Sequence, residues 1–302
     1  MRAFLWFFGL ILLGLAAIAV LAWPAYDLLT PQFDVKFHRV SSRIGMLVLL
    51  VGFLLVARRM AVADRASLGY GLPRRQFLRE TGLGIVLGVA TMAPVALAMV
   101  WLDLRLLREG VTLDAATLAG LGVEGLLRGL AVALIEETFL RGAMHTGIQR
   151  ESGPTVAVLL TALVYAATHF IGRYRIPVDQ LGPGSGLDLL AGSLAAFGEP
   201  AAIADAFLSL AAVGLLLGMV RCMTGNIAAC IGLHAGWVWV ITFLRETSYP
   251  DETHPLRFLV SRFDGVVGWL VLGWTLVIGA ALWSFYRRRA PAVASGLSRP
   301  RA

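Results

Sequence analysis

Leu126-Leu127-Arg128-Gly129-Leu130-Ala131-Val132-Ala133-Leu134-Ile135-Glu136-Glu137-Thr138-Phe139-Leu140-Arg141 places two adjacent carboxylates at the end of a mostly apolar run. Within a membrane helix such a charge costs about 2.5–3.5 kcal/mol at the bilayer centre on insertion scales. Neighbouring helical residues do not share a face, whereas residues four apart do. Glu137 can therefore pair with Arg141, one turn on, while Glu136 points about 100° away. One acid is neutralised and the other is left free, the division that a general base in a dry site requires. The plainer alternative is that both acids serve ion pairs holding helices together.

Whether the run lies in lipid is decided by the rest of the chain. Of its 302 residues 58% are hydrophobic and only 15% charged, with a mean hydropathy of +0.77. An ordinary soluble domain carries about 25% charged residues. The composition is that of an all-α, polytopic membrane bundle. The net charge of +7, from 26 Lys+Arg against 19 Asp+Glu, fits basic loops at a membrane surface, with no nucleic-acid partner. Cys222 and Cys230 match no metal-ligand spacing and give no disulfide framework.

Eight spans are expected: Phe4–Ala22, Ile44–Ala57, Gly82–Leu102, a motif helix from Ala115 to His145, Thr155–Ile171, Ala204–Val220, Ile227–Leu244 and Gly265–Tyr286. Phe4–Ala22 has a longer apolar core than the roughly 7–15 residues of a signal peptide, so it reads as an uncleaved first helix. Arg58, Arg59, Arg65, Arg74, Arg75 and Arg79 mark the second loop as cytoplasmic. Arg287-Arg288-Arg289 falls on the same side, which puts both termini in the cytoplasm of a multi-pass integral membrane protein, in the plasma membrane if the chain is bacterial. Arg74 is expected to start an interfacial helix. Glu124 and Arg128, four apart, are expected to pair near the opposite interface. Residues 173–202 read as an extramembrane loop with a short helix over 187–196, and the tail to Ala302 as disordered. The chain divides into N-terminal helices (1–115), a catalytic helical core (116–245) and a last span with its loop and tail (246–302).

Of five histidines, His38 and His254 fall in loops and His145 ends the motif helix. His169 and His234 lie inside apolar spans, where ionisable groups face the bundle interior. By helix rise, Glu136 lies roughly 21 Å, His169 roughly 27 Å and His234 roughly 20 Å from the same boundary, so the three can meet at one level.

These residues resemble a family. Glu136-Glu137-Thr138-Phe139-Leu140-Arg141 is similar to the EExxxR motif of the CPBP intramembrane endopeptidases, also called the Abi or CAAX-protease family. Tyr165-Ala166-Ala167-Thr168-His169 resembles its FxxxH motif, with Tyr165 in place of Phe. His234, in Cys230-Ile231-Gly232-Leu233-His234-Ala235-Gly236-Trp237, resembles the third motif's histidine, and Thr224-Gly225-Asn226-Ile227 before it is also similar. The resemblance runs from about Leu118 to Leu244. Where the third motif commonly has Asn, this chain has Val238.

The resemblance implies an endopeptidase that cleaves a membrane-anchored protein or peptide in or near the bilayer. Glu136 would activate water, His169 assist, and His234 stabilise the oxyanion, with Glu137, Arg141, Tyr165 and Asn226 in support. Without the Asn, another donor must serve the oxyanion: His234 itself, or Asn226, which at a helix start also reads as a cap. Two histidines and a carboxylate are also a zinc hydrolase set. The ligands lack an HExxH spacing, so a metal-free reaction with no cofactor is favoured and zinc on Glu136, His169 and His234 is the rival. Two alternatives from other classes stand beside the protease: a catalytically silent relative acting as a binding or immunity protein, and a proton-coupled transporter. The transporter predicts repeat symmetry and broken helices in matching halves, which the sequence does not show.

Overall fold

A computed structural model describes residues 1–111, 114–171 and 174–289, with side chains through Phe285. The tail from 290 to 302, the side chains of Arg287, Arg288 and Arg289, and Arg173 lie outside these residues. The long helices are α1 (Arg2–Leu29), α2 (Phe37–Arg59), α3 (Arg74–Trp101), α4 (Ala115–Glu137), α5 (His145–Phe170), α7 (Pro200–Thr224), α8 (Ala228–Thr247) and α9 (Trp269–Arg289). A shorter α6 covers Ser185–Ala195, close to the helix expected in the long loop. Two three-residue strands, β1 (Arg105–Leu107) and β2 (Ser248–Pro250), pair antiparallel; alternation over so few residues gives no signal in the sequence. Six helical segments among the described residues are long and apolar enough to cross a membrane, one being the 56-residue run Ala115–Phe170. That run folds back at Gly153 (φ 83°, ψ 168°). Arg141 and Tyr165, each twelve residues from the break, stand face to face with Cζ 4.8 Å from the ring centre. With α9, whose apolar part is shorter, the crossings come to the eight expected.

The helix ends fall on two faces. On one, the Met1 amine binds Glu151 (2.7 Å), Arg150 donates to Ala61 O (2.7 Å) and Ser67 Oγ (2.6 Å), and Asn226 donates to Glu80 (3.0 Å). This face also carries the arginine-rich segment 58–79. Arg74 opens α3 itself rather than a separate interfacial helix, because Pro73 fixes the start and nothing breaks the chain afterwards. On the opposite face β1 meets β2, and buried Arg105 donates to Ser248 Oγ (2.9 Å) and Gly265 O (2.6 Å). Glu124 and Arg128 pair there, joined by Glu246 at 3.5 Å.

At the centre stands α8, held on both sides by backbone-to-backbone contact. A Cβ on Gly88 of α3 would meet Leu233 O at 2.5 Å, and one on Gly129 of α4 would meet Ala235 O at 2.5 Å. Gly84 and Gly88, like Gly232 and Gly236, are four apart, so each helix turns a glycine stripe to the other. Small residues at this spacing let membrane helices approach closely. The result fixes His234, which sits between the two glycines of α8, against the motif helix.

Candidate active site

The acid pair divides as helix geometry requires. Glu137 and Arg141 are fully buried, and Arg141 Nη1 donates to Glu137 Oε1 at 3.0 Å. His234 Nδ1 donates to the same oxygen at 2.9 Å. Glu136 keeps a side chain 34% exposed, and its Oε2 stands 4.0 Å from His234 Nε2. That Oε2 has no hydrogen-bond partner. The two carboxylates therefore differ in kind: Glu137 holds a guanidinium and an imidazole in place, and Glu136 faces the far nitrogen of that imidazole.

Immediately after Glu137 the helix widens into a π-helical segment, Thr138–Met144. Such segments are rare and frequent at functional sites. Thr138 Oγ1 donates to Leu134 O (2.5 Å) and meets the Tyr70 hydroxyl (2.6 Å), which ties the arginine-rich segment to the motif helix. Nothing in the sequence announces the widening.

Arg141 is fixed from four sides: by Glu137, by Gly214 O (3.1 Å), by the Tyr165 ring, and through its own carbonyl, which accepts Arg221 Nε at 3.0 Å. The Tyr165 ring also lies 4.4 Å from His169 and 5.9 Å from His234, centre to centre. An aromatic ring at this position thus spaces the two histidines and covers the guanidinium face. His169 Nδ1 donates to Tyr165 O at 2.7 Å, so in the neutral ring Nε2 is the acceptor.

His169 and His234 line a cavity of about 180 Å³ bounded by α3, α4, α5, α7, α8, α9 and the segment 263–267. From the histidines it extends to Arg245 and Asp264 on the face opposite the arginine-rich segment. Val238 lines it too, so the departure from the third motif lies in the cavity wall. Asn226 does not approach the cluster. It caps the start of α8, with Oδ1 accepting Ala228 N (2.8 Å) and Nδ2 bound to Glu80 (3.0 Å) and Thr224 O (3.0 Å). Asn226 precedes His234 by eight residues, about 12 Å if all were helical, and its contacts are those of a cap.

Among the described residues no group of three His, Cys, Asp or Glu side chains is arranged to hold a metal ion. Glu136, His169 and His234 do not form such a group, although each imidazole's Nδ1–H is held on Glu137 or on Tyr165 O, as in metal-ligating histidines. The cysteines stand apart. Cys230 Sγ lies on Leu217 O (3.4 Å) and Cys222 Sγ lies 3.7 Å from His145 Nε2. Arg221 is the supporting residue that spacing did not reveal; its signal is an arginine at the end of an apolar helix that stays 92% hidden, being 8% exposed.

Residues 119–240 match the family described as Type II CAAX prenyl endopeptidase Rce1-like. No curated protein and no solved structure matches the chain. The matched stretch begins in α4 and ends in α8, and it contains the acid pair, Arg141, Tyr165 and both histidines. Over this stretch, under half of its length, the chain is similar to the CAAX-protease (CPBP) family.

Proposed function

We propose that the chain is an intramembrane endopeptidase that hydrolyses a peptide bond of a membrane-associated protein or peptide, with Glu136 as the base that activates water. The observation that carries this reading is the asymmetry of the acid pair. Glu137 is committed through Oε1 to both Arg141 and His234 in the fully buried interior, while Glu136, 34% exposed, faces His234 Nε2 with its Oε2 at 4.0 Å. In this reading the reacting water binds between the Glu136 carboxylate and His234 Nε2. Glu136 takes the proton of that water as its oxygen attacks the carbonyl and passes it to the leaving amine when the C–N bond breaks, with His169, its Nδ1–H held on Tyr165 O, assisting the transfer.

The oxyanion needs a donor, and Val238 supplies none. His234 donates through Nδ1 to Glu137, so only its imidazolium form has a second N–H at Nε2 for the developing charge. In this reading the buried Glu137 is a positioning residue, and it contributes by fixing which nitrogen faces the reacting carbonyl.

Glu136→Gln should lower cleavage of a co-expressed membrane-anchored reporter by about 100-fold or more, the scale of a lost general base. The glutamine keeps the volume and does not disturb Glu137, so thermal unfolding in detergent should be unchanged. Full turnover by this variant would remove Glu136 from its role. A silent relative is the second reading, favoured by Val238, and it predicts no cleavage by the parent chain and no gain from Val238→Asn.

The arginine-rich segment 58–79 supports a cytoplasmic assignment for its face, and the N-terminus, bound to Glu151 on that face, goes with it. The C-terminal end of α9 returns there as well. The cavity then faces the side away from the cytoplasm.

A further inference from the structure

On α8, His234, Val238, Ile241, Thr242 and Arg245 all line the cavity. They form one stripe, because eleven residues at about 100° each fall within about 20° of three full turns. The stripe is the floor of a groove that runs about 16 Å from His234 to Arg245. At its inner end His234 is held by the fully buried pair Glu137–Arg141. Its outer end carries the Arg245 guanidinium, 41% exposed. Between them the floor is apolar except for Thr242, whose hydroxyl is spent on Val238 O at 2.8 Å.

Asp264 does not use up that guanidinium. Only Nη2 of Arg245 reaches Asp264 Oδ2 (2.5 Å), and Asp264 Oδ1 is occupied by the N–H groups of Val266 (2.9 Å) and Val267 (2.8 Å). The carboxylate acts as an anchor that holds the arginine at the mouth. A peptide lying on this floor thus meets, among the described lining residues, one guanidinium at the far end, with a planar fork that matches a carboxylate, and Arg108 lies behind it on Arg245 O (3.3 Å).

We propose that Arg245 is a specificity residue that binds a carboxylate of the substrate about five residues from the bond that is cut, the span of a 16 Å groove at about 3.3 Å per extended residue. The distance rests on the reading of Glu136 and His234 as the hydrolytic end. The carboxylate belongs either to an acidic side chain or to the C-terminus of the peptide, and the experiment separates them.

Fluorescein-labelled Ala/Leu nonapeptides, each with one Glu or Gln at successive positions and ending in a free acid or an amide, are bound to the full-length protein in nanodiscs and followed by anisotropy. The Glu136→Gln background keeps the peptides intact. A carboxylate at the favoured position should tighten binding about tenfold over its neutral counterpart, the scale of one charge-assisted contact. Arg245→Gln should abolish that preference and leave the neutral peptides unaffected, and Arg245→Lys, which keeps the link to Asp264, should retain part of it. A Glu-over-Gln preference assigns a side chain; an acid-over-amide preference assigns the C-terminus. Absence of any carboxylate preference in the parent, or equal weakening of charged and neutral peptides by Arg245→Gln, overturns the proposal. Because binding is read without turnover, a protein that binds carboxylates through Arg245 and cuts nothing would keep this proposal and lose the hydrolytic one.

Discussion

The two ends of the bundle are built on different principles. At the arginine-rich end the chain between α2 and α3 is driven into the bundle as a plug. Val62 is fully buried, Ser67 O accepts from Thr146, and Gly69 O accepts the N–H of Ile227. Leu68 O lies so close to the π-helical segment that a Cβ on Gly142 would meet it at 2.9 Å. Here backbone meets backbone at the ends of the helices. At the opposite end β1 and β2 also pair backbone to backbone, but the cavity mouth is bounded by side-chain links such as Arg245–Asp264, and the cavity reaches between α3, α8 and α9. The span from α3 to α9 is bridged by Trp274, whose Nε1 donates to Thr91 O at 2.7 Å. A site that must exclude bulk water yet admit a peptide needs one sealed end and one open end. The same eight crossings provide both, because backbone contact seals and side-chain contact leaves room.

The most decisive way to break this comparison is an all-or-none labelling experiment on orientation. With Cys222→Ser and Cys230→Ala as background, an impermeant maleimide applied to intact cells should label Thr253→Cys and should reach Arg65→Cys only after lysis. The reverse pattern would place the cavity mouth in the cytoplasm. Next in size, Arg141→Met leaves Glu137 buried without its cation, and should cost about 3–5 kcal/mol, read as loss of folded protein in a detergent melt. Adding Glu137→Gln should return part of that loss, since the double change removes both charges together; no recovery would mean that Arg141 acts through Gly214 and Tyr165 instead. Smallest, Gly142→Ala forces Leu68 away and should destabilise by about 1–3 kcal/mol through overpacking. The substitution lies at the sealed end, so it should leave the peptide affinities at the Arg245 end unchanged.

Much of the site was legible because it depends on local spacing. Glu137 and Arg141 are four apart on a helix, and that alone pairs them. His169 and His234 stand out as ionisable groups in apolar spans, and helix rise already put them level with Glu136. The tertiary features were not legible for equally definite reasons. The π-helical segment has no compositional signature, and Arg245 looks like any arginine at a helix end until Asp264, 19 residues later, is seen to hold it. The glycines at 84, 88, 232 and 236 were legible in principle, as two stripes at four-residue spacing, but each stripe says only that something comes close.

By itself, the sequence determined that the chain is a helical membrane bundle, which acid is paired, and which histidines lie within the spans, since hydropathy and helical periodicity act over one turn or one span. Tertiary structure alone decided that His234 is oriented by Glu137, that Val238 lines the cavity wall, and that the groove ends on Arg245. Those depend on how closely α3, α4 and α8 approach and on where the chain turns back at Gly153, which are sums of contacts between residues far apart in the chain.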